Sequence, residues 1–309
     1  MAKSTGVDTG VLIYLGFINT LLESLKHPEN KKIALDRFAE LKDPIERKFK
    51  LTFQKNAEGL LEVEGDAQPQ ARKLFYDLLL AMVQSLEDKY GCDKTWANLR
   101  PRMHPLYAQH QTAIRDLELE VPLSKFELDF IIQGSLSKSW IYQMFFGMIS
   151  GQNWSSGVIL VTNKRLIISS GSQSTEINVG DILTVGREVY TDVKLKYSNR
   201  SVKMIDYKSS WGIAALMYEG SPQSIIEFNR TVSRARVEVR GLTSIEKKVL
   251  VVLDRRQALT SLVVHGDVDR KMLAKALARL REIDYITEDY KLTSYGINAL
   301  SEIQQEYRV

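Results

Sequence analysis

The side chains best placed to do chemistry in this sequence are cations. Lys271, Lys275 and Arg279 recur every four residues, so on a helix they share one face, with Arg270 and Arg281 beside them. Such a stripe suits the phosphates of a duplex or an acidic protein surface. A base-reading helix also needs amide side chains, and Asn and Gln are absent from 269–285. The turn that follows carries Glu288 and Asp289, two carboxylates that phosphate would repel. The balance favours an acidic protein partner, with DNA as the alternative. Lys194, Lys196, Arg200, Lys203 and Lys208 form a second basic strip around one hairpin. It would take phosphate, lipid headgroups or an acidic partner, but a solvated edge kept soluble by lysine explains it more simply. Trp140, Tyr142, Phe145, Phe146 and Met148 lie in a run with no charge from Ser139 to Thr162. Packed on a core, the run is structural; exposed, it is a partner-binding or membrane-touching loop.

Other chemistry has little to build on. Cys92 is the one cysteine, which excludes an internal disulfide and a cysteine-built zinc site. Four scattered histidines give no metal spacing. Glu62 with Glu64, and Asp284 with Glu288, read as solvated hairpin faces and not as acid–base pairs. No phosphate loop or nucleophile elbow occurs. The expectation is a protein that is not an enzyme, with no metal and no cofactor. The net charge of +4 is too small to imply nucleic acid by itself. The excess sits in 121–240, with fourteen basic against ten acidic residues. No signal peptide or membrane span is legible, and one cysteine in 309 residues fits the cytoplasm.

The elements that must position these residues fall into three expected domains. Residues 1–120 read as mostly helical. Asp8 caps a helix over 8–26, a second covers 30–41, and Pro44 breaks the chain. Phe49–Phe53 and Leu61–Glu64 alternate as a hairpin. Helices follow over 70–90 and 96–115, the last interrupted near Pro101 and Pro105. Val121-Pro122-Leu123 reads as a linker. Residues 121–240 read as a β-domain. Its centre is Gly157–Ile168, two β-branched runs flanking the corner Thr162-Asn163-Lys164-Arg165. Strands are expected at 128–132, 175–179, 181–186, 193–197, 202–205 and 211–218. Ser221 caps a closing helix with Pro222 at its first position and Ile225, Ile226, Phe228, Asn229 and Val232 on its apolar face. Residues 241–309 give three helices, a hairpin over 283–293 and a last helix from Ser294 to Tyr307.

Two stretches carry resemblances. The corner "V-T-N-K-R-L-I-I-S" with the alternation after it resembles pleckstrin-homology-like (PH-like, or GRAM-like) domains, implying a β-barrel plugged by one helix. In lipid-binding relatives a basic strip receives phosphoinositides, but these lysines flank a different hairpin and lack a glycine-rich cradle. The run "L-A-R-L-R-E-I-D-Y-I" through "Y-K-L-T-S-Y-G" resembles the winged helix–turn–helix of archaeal and bacterial regulators. The resemblance implies α+β multidomain architecture, and a homodimer through the last helix is open. A PH-like domain running into a terminal winged helix is similar to the archaeal taxis adaptor family CheF. The residues carrying that likeness are Thr162–Ile168, Glu219-Gly220 through Phe228, and Leu242-Thr243 through Gly296. The helical first 120 residues depart from the β-rich module of that family. CheF implies an adaptor between a phosphorylated response regulator and archaellum motor components, without catalysis. A winged-helix transcription regulator and an ESCRT-II-like membrane-trafficking adaptor are the alternatives.

Overall fold

The computed structural model describes residues 6–57, 59–65, 68–133, 154–188, 201–210, 212–264 and 268–306. The chain mixes helix and sheet in two compact units, Met1–Leu123 and Ser124–Val309.

In the first unit, α1 (Thr9–Ser24) starts at Asp8, whose carboxylate accepts from the Val11 amide at 3.2 Å. The same carboxylate takes two hydrogen bonds from Arg72, each 2.7 Å, and the guanidinium holds Asp8 below the usual carboxylate range. Helix α1 lays Phe17, Ile18, Leu21 and Leu22 into a core shared with α3 (Arg72–Tyr90) and α4 (Cys92–Asp116). The expected hairpin is present as β1 (Leu51–Lys55) and β2 (Leu61–Gly65) in antiparallel register.

The proline breaks expected here do not occur. Helix α2 (Pro28–Phe49) runs through Pro44, and α4 runs through Pro101 and Pro105. Pro101 and Pro105 stand four apart on the exposed side of α4, while Leu99, Met103 and Tyr107 are buried opposite. The carbonyls freed by the missing amides therefore face water, and burial along the other side keeps the helix continuous.

In the second unit, β3 (Pro122–Gln133) begins on the residues expected to form a linker; proline is tolerated as a strand's first residue. Then follow β4 (Ser155–Thr162), β5 (Arg165–Ser170), β6 (Gln173–Asn178), β7 (Ile182–Glu188), β8 (Ser201–Ser209) and β9 (Gly212–Gly220). They form one seven-stranded sheet in the order β6-β5-β4-β3-β9-β8-β7. Thr162 Oγ1 makes the β4–β5 corner by accepting from the Lys164 and Arg165 amides at 3.1 and 2.9 Å. Gly157 lets β4 approach β5: a Cβ there would lie 2.2 Å from the Ser169 carbonyl oxygen.

The closed barrel expected from the sequence is not formed; β6 and β7 are the two edges of an open sheet. A 3-10 turn, Val179–Asp181, carries the chain between them. Carbonyls at this corner and at the start of β7 accept hydrogen bonds from arginines of α5 (Pro222–Arg240). Arg236 donates to Ile182 and Leu183 at 3.0 and 2.6 Å, and Arg240 to Gly180 at 2.8 Å.

Helix α5 covers the sheet. Ser221 caps it, and Phe228 packs edge-on against Phe126 and Tyr218 with ring centroids 5.4 and 4.7 Å apart. Ile226, expected on the buried face, is 51% exposed, because it falls one residue off the Ile225–Phe228–Val232 stripe. After α5 come α6 (Ser244–Asp254), the short α7 (Ser261–Val264), α8 (Arg270–Glu282) and α9 (Ser294–Glu306). The hairpin expected at 283–293 reduces to a single antiparallel bridge, Ile286 to Leu292. Thr287 closes this turn, accepting from the Lys291 amide at 3.0 Å.

Candidate functional site

The basic face of α8 is set by three buried residues, Leu273, Ala276 and Leu280, which turn the opposite side to solvent. Arg270, Lys271 and Lys275 are exposed there, and Met272 among them is 54% exposed. None of the three cations forms an ion pair among the described residues. The patch therefore offers free positive charge around one apolar side chain.

Arg279 does not belong to it, although its spacing places it on the stripe. Its guanidinium pairs with Glu246 at 3.3 Å, and the Glu246 side chain is 2% exposed. Glu246 also completes the capping box of α6: its carboxylate accepts from the Thr243 amide at 2.7 Å, and Thr243 Oγ1 accepts from the Glu246 amide. Arg279 thus neutralises a buried carboxylate, and its charge is used inside the fold.

The turn beside α8 supplies its own cation to Asp289. Lys291 pairs with Asp289 at 2.5 Å, and Lys291 followed by Thr287 holds the Asp289 carboxyl down at about 2. Arg281 lies over the Tyr290 ring at 4.2 Å. Glu288 and Asp289 are both exposed.

Behind this region α5 ties the sheet to the terminal helices. Arg234 is 2% exposed. Its Nε donates to the Ile283 carbonyl at 3.1 Å, Nη1 to the Tyr295 hydroxyl and Nη2 to Asp284, both at 3.3 Å. Its guanidinium also lies 4.2 Å over the Tyr295 ring, which stacks on Tyr285. The residue before Arg234, Ser233, donates to Glu282 at 2.9 Å. The Tyr295 hydroxyl is pushed well above its ordinary range by burial, so it stays protonated. Sequence reading missed Arg234. The available signal was four arginines, 230, 234, 236 and 240, in one helix already committed to covering a sheet.

Of the second basic strip, Lys203 is described and pairs with Glu188 at 2.9 Å, and Lys208 is exposed. Lys194, Lys196 and Arg200 lie outside the described residues, as do Trp140, Tyr142, Phe145, Phe146 and Met148. On α9, left open as a pairing surface between copies, Tyr295, Ala299, Leu300 and Ile303 are buried within the unit, while Ile297 is exposed. Among the described residues no group of three or more His, Cys, Asp or Glu side chains is arranged to hold a metal ion. No described helix is long and apolar enough to cross a membrane.

No protein-family model matches the chain, and no curated protein matches it. Among solved structures, the C-terminal domain of an unknown protein from Leishmania infantum aligns at 14% identity over 42% of this chain and 97% of its own, with a TM-score of 0.25. A likeness that weak carries no argument about fold or function.

Proposed function

We propose that this chain is a non-enzymatic adaptor that docks other proteins, with the exposed face of α8 as a docking surface. The sheet with α5 is its PH-like module, and α6 to α9 with the turn after α8 are its winged-helix module. The observation that carries the reading is the fate of the charges near α8. Arg279 is spent on Glu246, Lys291 is spent on Asp289, and Asp289 stays ionised on the turn. Three free cations around Met272 remain. Duplex affinity grows with the number of phosphates neutralised, and three contacts give little of it, whereas an acidic protein face with an apolar centre matches the patch. By its likeness to CheF the chain would bridge a phosphorylated response regulator and archaellum components. Affinity capture from a nuclease-treated native lysate should return a protein in near-stoichiometric amount. Recovery of nucleic acid alone from an untreated lysate overturns the reading.

The second reading, a DNA-binding regulator, draws on the same exposed Lys271 and Lys275. It requires duplex binding that weakens steeply with salt and is abolished by Lys271→Glu with Lys275→Glu. Wild-type chain that leaves a duplex unbound at low salt removes it.

A further inference from the structure

The two edges of the seven-stranded sheet are treated differently by this sequence. Edge β7 is guarded. Its pairing with β8 is broken by two register shifts, and Arg236 occupies the carbonyls of Ile182 and Leu183. Bulges and covered main-chain groups are ordinary defences against unwanted strand addition. Edge β6 has neither. It pairs with β5 in unbroken register from Arg165↔Asn178 to Ser170↔Gln173, contains no proline or lysine, and exposes Gln173 through Glu176 in a row. Its one charge, Glu176, is already drawn to Arg165 at 2.6 Å.

The phase of the ladder says which groups point outward. The Val179 amide donates to the Lys164 carbonyl at 2.8 Å, making that pair a hydrogen-bonded one. Bonded pairs alternate in an antiparallel ladder, so Leu166/Ile177, Ile168/Thr175 and Ser170/Gln173 are bonded as well. Ser174 and Glu176 therefore aim both N–H and C=O away from β5. Among the described residues no main-chain hydrogen bond reaches these groups from the open side.

We propose that β6 is a strand-addition site that takes an extended segment of another protein, carrying a lysine or arginine opposite Glu176. Four outward main-chain groups would bond the incoming strand, and the free oxygen of Glu176 would select its cation. A second copy of this chain is a poorer occupant. The exposed row Gln173–Glu176 is polar and holds no apolar side chain for a second copy to bury. The register that uses Asn178 as well as Ser174 would also set Glu176 against its own copy.

The test uses an acetylated, amidated peptide of alternating valine and threonine with one central lysine, added in excess to the full chain. Amide hydrogen exchange at Ser174 and Glu176 should slow about tenfold or more. Replacing the lysine by glutamate should remove the effect. Ser174→Pro deletes an outward amide and leaves the β5 ladder whole, so it should keep the fold and lose the protection. Thr175→Pro strikes an inward amide and should instead destabilise the sheet. Unchanged exchange in the wild type, or equal protection in Ser174→Pro, overturns the proposal. So does protection without peptide accompanied by a concentration-dependent rise in sedimenting mass, which would make the occupant a second copy.

Discussion

At the scale of single residues, packing separates two cations of α8 that spacing makes look alike. Arg279 and Lys275 share a face by spacing, yet one answers a buried carboxylate and the other meets water. Spacing was legible in the sequence; the arrival of Glu246 beside Arg279 was not, because it depends on how α6 packs against α8. Arg234 shows the same limit, since its partners Ile283, Asp284 and Tyr295 come from a distant stretch of chain. Replacing Arg234 with Met keeps the apolar stem but strands the Ile283 carbonyl and loses the ring contact. It should cost about 3 kcal/mol, read from the denaturant midpoint. Thr243→Ala removes one half of the capping box and should cost about 1 kcal/mol by the same measurement. Asp289 should titrate at about 2 in carboxyl NMR. Its folded value lies below the ordinary 3.8, so the pair favours the folded state above that pH and loses this as pH falls toward 2. Lys291→Ala should return the titration toward 3.8; an unmoved value would show that Thr287 alone holds it.

At the scale of elements, periodicity carried most of the fold. The amphipathic runs give α1, α3, α5 and α8, the alternations give β1, β2 and β6, and the β-branched runs around the Thr162–Arg165 corner give β4 and β5, close to where the sequence places them. Proline misled because its cost depends on which side of a helix it occupies, and that is a tertiary fact. Pro101 and Pro105 spend their penalty on the wet side of α4. Pro101→Ala should therefore restore a helix hydrogen bond and stabilise the first unit, by about 1–3 kcal/mol in thermal unfolding. A lower melting temperature would mean that the proline bend itself is needed for packing. Barrel closure misled for a related reason. Alternation fixes which side chains face the core, but not whether the last two edges meet, and here arginines of α5 bond the path between them.

At the scale of the whole molecule, α5 is the shared part. It buries Phe228 against the sheet, and it hands Ser233 to the end of α8 and Arg234 to the segment that follows. Sheet and terminal helices therefore form one unit, Ser124–Val309, and a partner seated on α8 would bear on an element fixed to the sheet. The candidate surface was legible only as a list of cations; which of them stay free required the packing. The direct test is a quantitative capture that compares the wild-type chain with the Lys271→Glu, Lys275→Glu variant in one isotope-labelled, nuclease-treated lysate. The account predicts a protein enriched at near-stoichiometric yield by the wild type and depleted about tenfold or more with the variant, for the loss of two close charge pairs. Equal enrichment by both chains would contradict it.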